Sequence, residues 1–84
     1  MKPLKIVVWG VGAMGAGIAR AIGEKAGLEV VGAVDTDPAK IGRPLSDFTG
    51  LGAQEQVPVV STLEEAMSAD PDLVVVATAS LVRV

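Results

Sequence analysis

Three closely spaced glycines follow an apolar segment near the start of the sequence. Gly10, Gly12 and Gly15 form the pattern Gly-x-Gly-x-x-Gly directly after the residues Leu-Lys-Ile-Val-Val-Trp. In such a pattern the first glycine permits a tight turn, the second lets the backbone approach a phosphate group, and the third lets a helix pack closely on the preceding strand. The helix N-terminus also offers N–H groups and a partial positive charge. The pattern therefore predicts a phosphate-binding turn; the alternative is a set of structural glycines in a non-binding domain.

One carboxylate is spaced to complete such a site. Asp35 ends the next apolar segment and stands 20 residues beyond Gly15. A carboxylate at that spacing accepts hydrogen bonds from the adenosine ribose of a dinucleotide, whereas the alternative is a solvated aspartate that caps a turn. Because a carboxylate repels a 2′-phosphate, NAD is the favoured cofactor. Lys40 and Arg43 are expected to be solvated, but either could turn toward a phosphate, so the use of NADP stays open.

Candidate cofactor contacts come from the glycine turn, the end of the second apolar segment and the residues after the last apolar segment. They are Gly10, Val11, Gly12, Ala13, Met14, Gly15, Asp35, Thr36, Thr78, Ala79 and Ser80. The segment 78–80 would line the crevice in which open α/β sheets bind ligands, and a turn or fraying end explains it equally well. Met14 and Trp9 are expected to pack in the core more than to contact a ligand.

The composition excludes several other kinds of chemistry. The 84 residues contain neither cysteine nor histidine, so disulfides, Cys/His metal sites and a histidine-based triad cannot be built from this chain. Four carboxylates belong to a predicted helix start and its exit turn, where capping and solvation explain them: Glu64, Glu65, Asp70 and Asp72. We therefore predict no catalytic residue and no metal ligand.

Charge and hydropathy narrow the class of partner. Seven basic and 10 acidic residues give a net charge of −3, which provides no basic surface for nucleic acid. The continuous apolar runs are too short to span a bilayer, and the first residues lack the pattern of a secretory signal. The expectation is a cytoplasmic protein that binds neither nucleic acid nor membrane.

The glycine turn requires a strand–helix–strand unit around it. The sequence predicts a buried strand over 4–9, a helix over 13–26 that Gly27 ends in a left-handed conformation, and a second buried strand over 29–35. A unit of this length implies a right-handed parallel crossover. The apolar stripe of the helix is predicted to consist of Met14, Ile18, Ala21 and Ile22.

The second half of the chain is less regular. A short helix capped by Asp37 is predicted to begin at Pro38, and one helical turn is predicted within 45–48. An edge strand follows over 57–60, because it contains a proline.

Serine and threonine before a pair of glutamates then predict a capped helix start over 61–67. A fourth, buried strand follows over 73–77. The fold class is therefore α/β, a Rossmann-type doubly wound parallel sheet of about four strands in the order 3-2-1-4. A full sheet of this type has about six strands, so truncation is expected.

The glycine run carries a more specific resemblance. The segment 7–20, Val-Val-Trp-Gly-Val-Gly-Ala-Met-Gly-Ala-Gly-Ile-Ala-Arg, resembles the N-terminal domain of the dihydrodipicolinate-reductase-like dehydrogenases. Within that family, the segment most resembles the branch of 2,4-diaminopentanoate dehydrogenase and the native amine dehydrogenases. The resemblance continues through 30–43, through Gly-Leu-Gly at 50–52 and through 70–80, and so covers almost the whole chain.

The resemblance implies an NAD(P)-dependent oxidoreductase that interconverts an amine and a ketone or imine; a reductase of the dihydrodipicolinate type is an alternative. In such enzymes a C-terminal domain supplies the substrate pocket and the dimer contact. Residues 1–84 are therefore expected to be the dinucleotide-binding domain without its substrate domain, inactive alone and part of a homo-oligomer. An alternative from another class is a non-catalytic module for nucleotide sensing or oligomerisation.

Overall fold

The computed structural model describes residues 2–77, in which four parallel strands form one sheet. The strands are β1 (Leu4–Trp9), β2 (Leu28–Val34), β3 (Val59–Val60) and β4 (Leu73–Val76). The helices are α1 (Ala13–Gly23), α2 (Ser46–Thr49) and α3 (Leu63–Ala66), and 3-10 turns follow at Gly52–Gln54 and Met67–Ala69. The strand order is β3-β2-β1-β4, which confirms the predicted order and fold class.

Both faces of the sheet are covered. Val7 and Val8 are neighbours on β1 and are both 0% exposed, although successive strand residues point to opposite faces. On one face Val8 packs in a cluster that includes Ala19 and Ile22 of α1, and on the other Val7 packs with Ala66 of α3. Each fully buried valine stabilises the fold by roughly 1.5–3 kcal/mol. The nearly continuous apolar run of β1 therefore correctly indicated a central strand.

The face that α1 turns to the sheet agrees with the prediction only in part: Ile22 is buried and Ile18 packs against the core as predicted, but the other two predicted residues do not. Its buried residues are Gly15, Ala19 and Ile22, whereas Met14 is 58% exposed. The prediction that Met14 packs in the core was wrong, and Ala21, also predicted to lie in the buried stripe, is exposed. Since each helical residue advances about 100°, packing Gly15 against β1 turns its neighbour Met14 away.

The end of α1 also differs from the prediction. The helix ends at Gly23 rather than near residue 26, because the Lys25 N–H donates to the Ile22 carbonyl at 3.1 Å and the last turn tightens. Gly27 adopts the predicted left-handed conformation, with φ of 87°.

The segment after β2 forms turns and no helix, contrary to the prediction of a helix at Pro38. Asp37 does accept a hydrogen bond from the Ala39 N–H at 2.9 Å, as a capping residue would. The Lys40 and Ile41 N–H groups also donate to the Asp37 carbonyl, but the turn does not continue as a helix, because the Gly42 N–H donates to the Val59 carbonyl at the start of β3, at 2.8 Å. Pairing with the β3 segment therefore competes successfully with helix formation.

The strands at the two edges differ in how well the sequence predicted them. β3 lies at an edge, as Pro58 in the predicted strand over 57–60 indicated, but the observed strand is only Val59–Val60 and begins after that proline. β4 was predicted to be buried, but Leu73 is 41% exposed and Val76 is 63% exposed. Within residues 2–77, β4 pairs with β1 alone, so it forms the other edge of the sheet and its apolar side chains are only partly covered. No helix in that part of the chain is long and apolar enough to cross a bilayer.

A buried glutamine joins the helices on one face of the sheet. Gln54 is 3% exposed, its Nε2 donates to the Ala19 carbonyl at 2.9 Å, and its Oε1 accepts from the Thr49 hydroxyl at 2.6 Å. No buried side-chain nitrogen or oxygen among the described residues lacks a hydrogen-bond partner. Gln54 therefore fastens the irregular segment to α1.

We expect Gln54→Ala to lower the free energy of unfolding by roughly 2 kcal/mol, because it removes two buried hydrogen bonds and leaves a cavity. Urea denaturation measures the change. The control is Gln56→Ala, at an exposed position nearby, for which a change below about 0.5 kcal/mol is expected. Equal effects of the two substitutions would contradict the structural role of Gln54.

Candidate functional site

The glycine turn lies at the carboxyl ends of the strands, beside the point where the strand order reverses. Gly10 has a φ of 107°, which favours glycine, and its N–H donates to the Val34 carbonyl at 2.7 Å. On the other side the Ala77 N–H donates to the Trp9 carbonyl at 2.7 Å. The turn is thus held between β2 and β4, at the crevice in which open α/β sheets bind ligands.

The third glycine of the pattern is required by a close contact. A Cβ atom on Gly15 would lie 1.7 Å from the Gly10 carbonyl oxygen and 2.8 Å from its carbonyl carbon. These are backbone atoms of the turn itself, so they cannot move aside as a flexible side chain could. The absence of a side chain at Gly15 therefore lets the first turn of α1 sit directly against the end of β1.

The N-terminus of α1 is open toward the crevice. Gly12 is the N-cap, no side chain caps the helix, and its first turn contains no acidic residue. The first backbone bond runs from the Ala16 N–H to the Gly12 carbonyl at 2.8 Å, and within residues 2–77 the N–H groups of Ala13 and Met14 have no partner. Among residues 2–77, no atom lies within 4 Å of the place that a Cβ on Gly12 would occupy, so the described part of the chain leaves that space open. This geometry fits a phosphate group.

The carboxylate of Asp35 is bonded to the glycine turn. Its Oδ2 accepts from the Val11 N–H at 2.7 Å, and its Oδ1 accepts from the Asp37 N–H at 2.9 Å. A carboxylate has about four acceptor positions, so two stay available for ribose hydroxyls. Asp35 therefore has a structural bond to the turn and, in addition, the capacity to accept hydrogen bonds from a ligand.

The surroundings of Asp35 keep it ionised. Partial burial alone would raise the pKa of its carboxyl, but the N–H groups of Asp37 and Val11 and the charge of Lys40 together lower that pKa below its ordinary value of 3.8. An ionised carboxylate is a hydrogen-bond acceptor only, which suits ribose hydroxyls and opposes a phosphate.

Lys40 is the residue at this site that sequence reasoning misplaced. It was expected to be solvated, but its Nζ donates to the Val11 carbonyl at 2.8 Å in a partly buried position. Val11 is therefore held on both sides, by Asp35 at its N–H and by Lys40 at its carbonyl. The only sequence signal for this contact was that Lys40 follows Asp35 by five residues, and this spacing by itself indicates no particular contact.

The other predicted site residues are distributed as follows. Thr36 is exposed beside Asp35, and Ala13 and Met14 are exposed at the helix N-terminus. Trp9 is partly buried and packs against the cluster on the α3 face, as expected. Thr78, Ala79 and Ser80 lie outside the described residues.

Two of the four carboxylates predicted to be structural, Glu65 and Asp72, form hydrogen bonds through their side chains or caps, and the backbone of a third, Asp70, ends a turn. Glu65 forms a cap with Thr62, whose Oγ1 accepts from the Glu65 N–H at 3.2 Å. Asp72 accepts from the Lys5 N–H at 2.8 Å, and Asp70 ends a 3-10 turn in a left-handed conformation. These contacts account for their positions.

A separate cleft of about 350 Å³ lies beside the first half of β2 and is lined by Gly23, Leu28 and Gln56 among others. It is at the opposite end of the strands from the glycine turn, and no helix begins there. It therefore lacks the features that suit a phosphate.

Three features define a Rossmann-type nucleotide-binding domain. They are the parallel sheet in the order β3-β2-β1-β4, the glycine turn at the start of α1 and the aspartate after β2. The family model described as "Dihydrodipicolinate reductase, N-terminus" matches residues 4–82. The chain belongs to this family, the nicotinamide-dinucleotide-binding domain of dihydrodipicolinate-reductase-like oxidoreductases.

Two relatives show how much of such proteins the chain represents. It is 34% identical over 68 residues to a 4-hydroxy-tetrahydrodipicolinate reductase from Picosynechococcus sp. (strain ATCC 27264 / PCC 7002 / PR-6), which covers 80% of this chain and 24% of the reductase. It also resembles the structure of an amine dehydrogenase from Mycobacterium smegmatis, with a TM-score of 0.72 and 36% identity, over 84% of this chain and 21% of the other. The chain thus spans about a quarter or less of either relative.

The two helical glycines Gly15 and Gly17 provide a matched test of the close contact. We expect Gly15→Ala to lower the free energy of unfolding by more than about 2 kcal/mol, since its Cβ would overlap the Gly10 carbonyl. Gly17→Ala meets no atom within 4 Å and is expected to raise it by roughly 0.5–1 kcal/mol, because alanine favours the helix. Urea denaturation of both variants measures the difference, and a tolerated alanine at Gly15 would contradict the contact.

The lowered pKa of Asp35 predicts a pH dependence of stability. A carboxyl with a lower pKa in the folded than in the unfolded state stabilises the protein above the unfolded value. That contribution is present above the ordinary value of 3.8 and is lost as the pH falls through the lowered pKa. In denaturation series between about pH 5 and about pH 2, Asp35→Asn should therefore lose less stability than the wild type. Parallel curves for the two proteins would refute the assignment.

Proposed function

We propose that this domain binds NAD with its pyrophosphate against the Gly10–Gly15 turn and its adenosine ribose at Asp35. The bond between the Asp35 carboxylate and the Val11 N–H carries the proposal, because it joins the ribose acceptor to the phosphate turn in one rigid unit. The open space at Gly12 and the uncapped start of α1 support the pyrophosphate position.

The proposed ligand contacts are those predicted from the sequence. Val11, Ala13 and Met14 contribute backbone at the turn, and Thr36 adjoins the ribose position. Thr78, Ala79 and Ser80 are proposed to border the nicotinamide side, because they follow β4, the strand next to β1 at the crevice.

The proposed reaction is hydride transfer that interconverts an amine and a ketone or imine. The similarity to an amine dehydrogenase supports this reaction, and the similarity to a 4-hydroxy-tetrahydrodipicolinate reductase supports a reductase of that type as the second candidate. The bound nicotinamide supplies the hydride chemistry. The residues of this chain bind and orient the cofactor, and we propose that substrate contacts and assembly into an oligomer belong to a further domain.

Titration of the chain with NADH, followed by nicotinamide fluorescence, tests the cofactor assignment. We expect saturable binding that Asp35→Ala weakens on the order of tenfold or more, because hydrogen bonds to a charged acceptor are lost. NADPH binding should weaken less, since the same substitution removes the repulsion of the 2′-phosphate.

The matched control is Glu29→Ala, which removes an exposed carboxylate at the far end of the same strand. It should leave both affinities unchanged. Equal weakening of NADH and NADPH by Asp35→Ala would overturn the ribose assignment, and the lack of any saturable binding by a folded sample would overturn the cofactor proposal.

A further inference from the structure

The sulfur atoms of this chain all belong to methionines. It contains no cysteine and three methionines, Met1, Met14 and Met67. A thioether is a weak hydrogen-bond acceptor, and oxidation converts it to a polar sulfoxide that carries an acceptor oxygen. Of the two methionines within residues 2–77, Met14 is 58% exposed and Met67 is 47% exposed. Both thioethers are therefore accessible to a small oxidant.

Met14 lies at the proposed cofactor site because of the way α1 packs. The contact between Gly15 and the Gly10 carbonyl fixes the rotation of α1, so the residue before Gly15 is turned out of the core. Met14 is the second residue of α1, and helical side chains lean toward the N-terminus of their helix. The thioether of Met14 is therefore directed back toward the glycine turn, beside the proposed pyrophosphate position.

The start of α1 is suited to hold an acceptor oxygen. Gly12 is the N-cap, no side chain of the described residues caps the helix, and its first turn contains no acidic residue. The positive end of the helix dipole attracts an acceptor oxygen at this place. Oxidation of Met14 would supply such an oxygen from within the chain, where the phosphate oxygens are proposed to bind.

Met67 lies in a different part of the molecule. It begins the 3-10 turn Met67–Ala69 that follows α3, and α3 packs on the face of the sheet opposite to α1. Its exposed fraction is similar to that of Met14. Met67 is therefore a matched exposed methionine away from the proposed cofactor site.

We propose that Met14 is a site of reversible oxidation that controls dinucleotide binding. The oxidant is a hydroperoxide: the Met14 sulfur bonds to one peroxide oxygen as the O–O bond breaks, and the proton of that oxygen moves to the departing oxygen. The sulfur is oxidised by two electrons, and the peroxide is reduced to water or an alcohol. The sulfoxide oxygen then competes with the pyrophosphate for the start of α1. The inference rests on the proposed cofactor function and adds a regulation of the same site.

The test is the ratio of the NADH dissociation constants after and before treatment with hydrogen peroxide, which is removed before each titration. We expect a ratio of about ten or more for the wild type and for Met67→Leu. For Met14→Leu the ratio should stay within about twofold of one, because its thioether at the helix start is gone. Mass spectrometry of proteolytic fragments measures the oxidation of each methionine, and thermal denaturation establishes that each oxidised sample is folded.

Two further measurements examine the mechanism. Treatment of the oxidised wild type with methionine sulfoxide reductases for both sulfoxide epimers should restore its NADH affinity, which separates thioether oxidation from irreversible damage. Saturating NAD present during the peroxide treatment should slow the oxidation of Met14 and leave that of Met67 unchanged, because the bound pyrophosphate covers the start of α1.

The outcomes are distinguishable from failure of the proposed function. If the untreated wild type does not bind NADH, the cofactor proposal fails and the role of Met14 fails with it. If the untreated protein binds NADH but oxidation of Met14 leaves its affinity unchanged, the cofactor proposal stands and the regulation is overturned. A loss of affinity in peroxide-treated Met14→Leu equal to that of the wild type would overturn it as well, and so would a Met14 that resists peroxide while Met67 is oxidised.

Discussion

The structure depends on one close contact, the approach of Gly15 to the Gly10 carbonyl. A single Cβ at Gly15 would overlap that oxygen, so the contact fixes both the distance between α1 and β1 and the rotation of the helix about its axis. The rotation places Ala19 and Ile22 on the sheet and leaves Met14 exposed at the crevice. The same contact sets the position of the first turn of α1, where Gly12 is the N-cap and no side chain of the described residues caps the helix. Packing and ligand-binding geometry are therefore consequences of one steric constraint.

A second layer of organisation consists of polar contacts between distant parts of the chain. Asp35 accepts a hydrogen bond from the Val11 N–H, and Lys40 donates one to the Val11 carbonyl. Gln54 donates to the Ala19 carbonyl and so connects the segment between α2 and β3 to α1. Buried or partly buried polar groups are costly unless they are paired, so each of these contacts restricts the arrangements available to the chain. The loop regions are thereby held in place although they contain little regular secondary structure.

Local sequence patterns predicted the parts of the fold that depend on local chemistry. The glycine spacing, the nearly continuous apolar run of β1 and the proline of the β3 segment each have a meaning within a few residues, and the structure agrees with all three. The predicted helix at Pro38 was wrong because its backbone groups pair with the β3 segment, 17 residues beyond Gly42. The predicted burial of β4 was wrong because β4 lies at an edge of the described sheet, as the predicted strand order already implied, and its side chains have fewer neighbours there.

The sequence by itself determined the class of domain, since the glycine pattern and the spacing to Asp35 follow from steric and electrostatic requirements that any such turn must meet. The family resemblance predicted from the same residues is confirmed by the family model. Only the tertiary structure decided that Met14 lies outside the buried face of α1, that Gln54 belongs to the core and that Lys40 reaches the turn. Lys40 and Gln54 contact residues 29 and 35 positions away. No pattern within a short window encodes such contacts, because they exist only after the sheet and helix have brought those backbones together.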